Sequence, residues 1–218
     1  MNSSQIFTRV LAAGIVPIIR ASDETKIIVV ADALVKSGLG VLELSLSVPT
    51  GLKILESLAN RFGDALLLGA GTVLDKSTAS AAISAGARFI VSPSTDSSVI
   101  DTCKKHSVAC VPGALTPTEI ALAWKCGADA IKVFPAGTVG GPDYIRAIAA
   151  PRPDIVLFPC GGVNAQNASD YFDAGASALL VGSSLIDMML PEKELPGYVL
   201  ERASILMAIA ATARSSRL

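Results

Sequence analysis

The amino-acid sequence predicts an α/β protein, a (β/α)8 TIM barrel, on three observations. Eight short apolar runs recur along the chain, each followed by a segment with helical signals. The runs are almost continuously hydrophobic rather than alternating, as expected of parallel strands covered by helices. Dividing 218 residues among eight units gives about 27 each, a compact and even repeat that favours closure over a doubly wound open sheet.

The runs are Ile15–Arg20, Val41–Leu46, Leu66–Val73, Phe89–Pro93, Ala109–Ala114, Ala130–Ala136, Ile155–Gly162 and Ala178–Ser183. Ser22-Asp23-Glu24 opens the helix after the first run, and Thr116-Pro117-Thr118-Glu119 opens the one after the fifth. These stretches combine a capping side chain with an acid in the first turn, and the second adds a Pro where no N–H is needed. Gly38, Gly86, Gly127 and Gly175 each stand shortly before a run, where Gly can take the left-handed conformation that ends a helix. The last helix is expected near Tyr198–Ala211. No linker, low-complexity tract or charge run interrupts the sequence, so one domain is expected over residues 1–218.

Composition narrows the function. With 18 Lys plus Arg against 19 Asp plus Glu, the net charge of -1 lacks the footprint of a nucleic-acid binder. Charged residues make up 17% and apolar residues 51%, which excludes disorder and leaves an oligomeric or a membrane protein. No run approaches the ~20 apolar residues of a spanning helix. Val10–Ile19 imitates a signal-peptide core but contains Pro17, runs into Arg20 and lacks a small-x-small cleavage site. A cytoplasmic protein without a membrane partner is therefore expected. Cys103, Cys110, Cys126 and Cys160 form no CxxC pair and read as free thiols. Cys103, His106 and Cys110 fall across a helix end and a strand start with no fourth ligand nearby. His106 is the only His, so a His-rich metal site cannot be built within one subunit, and no metal or cofactor is expected. It is placed at the N-terminal end of the fifth strand, away from the face where barrels carry their chemistry.

Barrel active sites lie at the C-terminal ends of the strands, which directs attention to polar residues in or just after the runs. Lys132 is an ammonium within the sixth run, where desolvation favours the neutral amine that forms Schiff bases. A snorkelling or salt-bridged Lys is the structural reading of the same residue. Glu43 is the only Glu inside an apolar run. Runs two and six are both even-numbered and can supply one interior layer. A carboxylate beside such an amine makes a nucleophile with a proton shuttle, or else a buried ion pair. Gly161-Gly162 after the seventh run and Gly182-Ser183-Ser184 after the eighth sit where many barrels bind phosphate through backbone N–H groups. Arg20 ends the first run and can hold a carboxylate or phosphate. Thr72 offers a hydroxyl after the third. Gly69-Ala70-Gly71-Thr72 lacks the third Gly of a dinucleotide fingerprint.

In these stretches the chain resembles the class I 2-keto-3-deoxy-6-phosphogluconate (KDPG) and 4-hydroxy-2-oxoglutarate aldolases and their phosphogalactonate (KDPGal) relatives. The resemblance runs from Ile15 to Ile186. It is carried by Val16-Pro17-Ile18-Ile19-Arg20, Leu42-Glu43, Gly69-Ala70-Gly71-Thr72-Val73-Leu74, Val91-Ser92-Pro93 and Val111-Pro112-Gly113. It continues in Thr116-Pro117-Thr118-Glu119, Ile131-Lys132-Val133-Phe134-Pro135-Ala136, Gly161-Gly162-Val163 and Val181-Gly182-Ser183.

The resemblance implies a homotrimeric, metal-independent aldehyde-lyase whose substrate is a small keto-acid phosphate. Lys132 would form the Schiff base and Glu43 would move protons. Arg20 and Thr72 would bind the pyruvyl end, with Pro93 and Phe134 lining its pocket. Gly162 and Ser183 would hold the phosphate, beside Gly161 and Gly182. Many KDPG-cleaving relatives carry Glu-x-Thr-x-Arg in the second strand, whereas this chain has Glu43-Leu44-Ser45-Leu46-Ser47. Ser47 in place of the Arg, together with Arg61-Phe62-Gly63-Asp64, leaves the C4 preference open between KDPG and KDPGal. Two other readings of the residues stand beside the aldolase: a barrel isomerase or epimerase enolising with Glu43, and a non-catalytic phosphosugar-binding barrel.

Overall fold

The computed structural model describes residues 3–215. In chain order the elements begin α1 (Ser3–Ala13), β1 (Ile15–Ile19), α2 (Glu24–Lys36), β2 (Val41–Ser45), α3 (Gly51–Phe62) and β3 (Leu67–Gly71). They continue with α4 (Lys76–Ser84), β4 (Phe89–Val91), α5 (Ser97–Lys105), β5 (Ala109–Val111), β6 (Gly113–Ala114), α6 (Pro117–Lys125) and β7 (Ile131–Val133). The chain then forms α7 (Pro142–Ala149), β8 (Leu157–Pro159), α8 (Ala168–Asp173), β9 (Leu179–Val181) and α9 (Leu195–Ser215). All strand pairs are parallel, in a six-stranded sheet β5-β4-β3-β2-β1-β9 and a three-stranded sheet β6-β7-β8. One bridge, Cys160 to Leu180, joins the two. The architecture is thus a curled parallel α/β sheet with a helix after each strand unit, and no described helix is long and apolar enough to cross a membrane.

The expected helix caps form. Asp23 accepts from the Lys26 N–H at the start of α2, and Thr116 and Glu119 make a reciprocal capping box at α6. Three expectations need correction. The fifth strand, expected unbroken over 109–114, divides at Pro112, which has no N–H to donate. The final helix is longer than expected, reaching from Leu195 to Ser215. Finally, the run Val10–Ile19 is the end of α1, a helix not expected at all, followed by β1.

The pleat divides the buried side chains into two clusters. Ile15, Leu42, Leu68, Ile90, Ile131, Leu157 and Leu179 face outward and pack with the helices. Their alternates Val16, Val41, Leu67, Phe89, Ala109, Ala130, Phe158 and Ala178 form an inner cluster. Helix α1 belongs to that inner cluster through Ile6 and Val10, with the Phe7 ring stacked on Phe158 at 6.2 Å. Arg9 donates to the carbonyls of Gly40, Asp64 and Ala65, just before β2 and β3. Helix α1 therefore lies across the N-terminal ends of the strands.

Phe158 couples that helix to the inner cluster. Phe158→Ala is expected to lower unfolding stability by about 3–5 kcal/mol, the usual result of emptying a buried aromatic position. Urea denaturation at fixed protein concentration checks it, and a loss under about 1 kcal/mol would show that α1 does not depend on this contact.

Candidate active site

The inward parity that forms the core also builds the site. Strand register pairs Ile18 with Glu43, Glu43 with Gly69, Gly113 with Lys132, and Lys132 with Phe158. Glu43 and Lys132 are buried, at 1% and 6% exposure. No ion pair within 4 Å links them, and Glu43 Oε2 has no hydrogen-bond partner. Burial pushes the Glu43 carboxyl above its ordinary value of 4.5, although the Lys132 and Arg20 charges oppose the shift. Space for the carboxylate comes from the next strand: a Cβ on Gly71 would lie 1.9 Å from Glu43 Oε1. The Lys132 ammonium stands 5.3 Å from the centre of the Phe134 ring.

Strand parity alone would turn Thr72, one residue past inward-facing Gly71, away from the interior. Its backbone instead takes φ 61, the left-handed conformation, at a cost of about 1–2 kcal/mol for a residue with a Cβ. The Thr72 hydroxyl then lies 2.8 Å from Ser45 Oγ, which in turn lies 3.0 Å from Ser47 Oγ. Ser45 is fully buried on the same face of β2 as Glu43. This hydroxyl relay was not expected as a unit; its signal in the sequence is the alternation Glu43, Ser45, Ser47.

A cavity of about 700 Å³ gathers five of the expected residues: Arg20, Gly161, Gly162, Gly182 and Ser183. Its volume suits a small metabolite. Gly161 and Gly162 have φ of 92 and 79, a consecutive left-handed pair that other residues adopt only under strain. Leu185 and Ile186 donate to the Gly182 carbonyl in a helical turn, whose first amides, those of Ser183 and Ser184, have no acceptor within it. Ser184 Oγ donates to the Val163 carbonyl at 2.7 Å, tying the two glycine loops together, and Asn167 Nδ2 donates to the Gly162 carbonyl at 2.9 Å within the loop after β8. Pro93 and Phe134 share a separate cavity of about 290 Å³ rather than this one.

Cys160 connects the groups. It lines the larger cavity, and its thiol is pushed up to about 11, first by burial and then by the Glu43 charge, against the opposing Lys132 and Arg20 charges. In the sequence it looks like an ordinary free thiol, but it shares the inward parity of Phe158 and Gly162. His106 caps α5 at the surface, outside the site. Cys103 and Cys110 are buried without a disulfide, and among the described residues no three His, Cys, Asp or Glu side chains converge as metal ligands.

The raised Glu43 carboxyl links stability to pH. Between the ordinary carboxylate value and the raised one, the native protein keeps a proton that the unfolded chain has released, so native stability falls as pH rises. Glu43→Gln is therefore expected to gain on the wild type in urea midpoint as pH goes from about 4 to about 8. A gap that narrows over that range would refute the assignment of burial as the dominant cause.

The chain is similar to known proteins over most of its length. The family described as KDPG and KHG aldolase matches residues 6–196. The 2-dehydro-3-deoxy-phosphogluconate aldolase of Pseudomonas aeruginosa is 37% identical over 191 residues, 88% of this chain and 84% of that protein. The 2-dehydro-3-deoxy-6-phosphogalactonate aldolase of Escherichia coli is 35% identical over 154 residues, 70% of this chain and 75% of that protein. Among solved structures, the KDPG aldolase of Legionella pneumophila, captured with pyruvate as a covalent carbinolamine, superposes with a TM-score of 0.78. It is 28% identical, over 96% of this chain and 98% of that one. With an unusual buried Glu and Lys on the inner face of its strands and a family match over most of its length, this chain belongs to the KDPG and KHG aldolase family.

Proposed function

We propose that the protein is a class I, metal-independent aldehyde-lyase that cleaves KDPG to pyruvate and glyceraldehyde 3-phosphate, and that it also acts on 4-hydroxy-2-oxoglutarate. The observation that carries this reading is the buried Lys132 amine facing the interior with the unpartnered carboxyl of Glu43.

Lys132 Nζ, as the free amine, attacks the C2 carbonyl. Glu43 moves protons through the carbinolamine as water leaves and the iminium forms. A carboxyl whose proton is held more tightly than usual suits both directions of that transfer. Glu43, through a water, then takes the C4 hydroxyl proton. The C3–C4 pair flows into the iminium, releasing the aldehyde and leaving an enamine. Protonation at C3 and hydrolysis return pyruvate and Lys132.

In this reading Arg20 and Thr72 hold the pyruvyl end, the Thr72 hydroxyl being oriented by Ser45, and Phe134, whose ring lies 5.3 Å from the Lys132 ammonium, walls the pocket from the side of the smaller cavity it shares with Pro93. The amides around Gly161, Gly162, Gly182 and Ser183 take the phosphate. A net charge of -1 is no obstacle, because one phosphate held by amides needs no basic surface. We extend the reading to one (β/α)8 barrel domain over residues 1–218, supported by the Cys160–Leu180 bridge between the sheets and by the chain continuity across Pro112. A cytoplasmic homotrimer completes it, and the mass of the native particle tests that assembly.

Borohydride with pyruvate is expected to trap an adduct on Lys132, and EDTA to leave turnover intact; no adduct, or loss of turnover with EDTA, would overturn the mechanism. Glu43→Gln is expected to lower kcat by about 10²–10⁴, the range for losing a positioned general acid–base. A fall below about fivefold would remove Glu43 from that role.

One observation favours a second reading, cleavage of the C4 epimer KDPGal: Ser47 is exposed where many KDPG-cleaving relatives carry Arg. Assaying pyruvate release from KDPG and KDPGal side by side decides it, and the KDPG reading requires the higher kcat/KM on KDPG. Proton exchange in either substrate without pyruvate release would point to an isomerase instead.

A further inference from the structure

Helix α2 begins with a charge arrangement that its own stability does not explain. Asp23 and Glu24 suit the positive end of a helix dipole, whereas Lys26 in the same first turn does not. Its side chain neither joins an ion pair nor extends freely into solvent. Half-buried, Lys26 Nζ donates to the carbonyl of Leu190 at 2.9 Å and to that of Met188 at 3.2 Å.

Those carbonyls belong to the segment after β9 that completes the larger cavity, where Asp187, Met188 and Met189 form the wall beside Ser183 and Ser184. Met188 and Leu190 pack partly buried against the outer cluster, but among the described residues the hydrogen bonds that attach the segment to another element come from Lys26. Asp187 Oδ1 accepts the Met189 N–H and the Asp187 carbonyl accepts the Leu190 N–H, which shape the turn but do not attach it to the rest of the protein. Met189, between those two anchors, is 89% exposed, so packing leaves the tip of the turn unfixed. The Lys26 ammonium spans 162 and 164 residues of sequence to make that attachment, with charge-assisted bonds of the stronger kind.

We propose that Lys26 is a positioning residue for recognition of the substrate's phosphate end: by clamping the Met188–Leu190 segment it holds one wall of the cavity in register with the Ser183 amides. The proposal rests on the reading that this cavity takes the phosphate. It assigns Lys26 no part in the chemistry at Lys132.

Two probes separate phosphate recognition from chemistry: inorganic phosphate as a competitive inhibitor, and pyruvate trapped by borohydride. In Lys26→Met, the inhibition constant for phosphate and the KM for the phosphorylated substrate are expected to rise about tenfold, the scale of one lost charge-assisted hydrogen bond. The expected kcat stays within about twofold, as does the rate of pyruvate trapping, and Lys26→Arg restores both phosphate-dependent values. If Lys26→Met folds poorly by urea denaturation, Lys26→Gln, which keeps an amide donor, is expected to give an intermediate rise. An unchanged inhibition constant, an equal loss in pyruvate trapping, or failure of Lys26→Arg to restore affinity would overturn the proposal. Failure of the underlying reading looks different, because phosphate would then not inhibit the wild type at all.

Discussion

The structure is organised around the burial of one carboxyl group. Glu43 sits in the interior with an oxygen that no protein group satisfies, and such a group costs free energy that the fold must recover elsewhere. Its neighbours make sense in that light. Gly71 gives up a side chain to make room, and the Lys132 and Arg20 charges favour the ionised form without forming a close ion pair with it. An apolar residue would pack there at less cost. Retaining a carboxyl and an amine instead is the kind of local inconsistency that marks a working site rather than a structural one.

Strands and loops divide the labour. The groups assigned to bond chemistry, Glu43 and Lys132, lie on strands, where the pleat and the flanking side chains leave little freedom. The groups assigned to the phosphate are backbone amides on the two loops after β8 and β9, which the Ser184 hydroxyl joins and Asn167 braces from within the first. A rigid reacting centre with a tied but adjustable recognition end lets a family keep one reaction while its substrates change.

Most of the fold was legible because covered parallel strands need long apolar runs, which stand out in a sequence with few charges. Glu43 and Lys132 were legible for the complementary reason, as charges where none belong. The run boundaries read too long: Ile155–Gly162 contains a strand of only Leu157–Pro159, because apolar residues continue into the turn that follows. Helix α1 escaped notice because its apolar end merges with β1 into what looks like a single run. Thr72 faces the site only through a left-handed backbone that strand parity does not foretell. Ser45, Cys160 and Lys26 gain their roles from partners distant in sequence, and no local pattern records such a pairing.

Helix α1 carries a consequence for traffic. With Ile6, Val10 and Phe7 packed over the N-terminal ends of the strands, apolar side chains cover that end of the inner face, and the larger cavity lies at the other end, among the loops. Substrate and both products of the proposed reaction would then pass by the loop end. In the proposed reaction the aldehyde leaves by that end, and the enamine on Lys132 is protonated to an iminium before water hydrolyses it. Three apolar side chains at the far end thereby direct traffic toward loops they never touch.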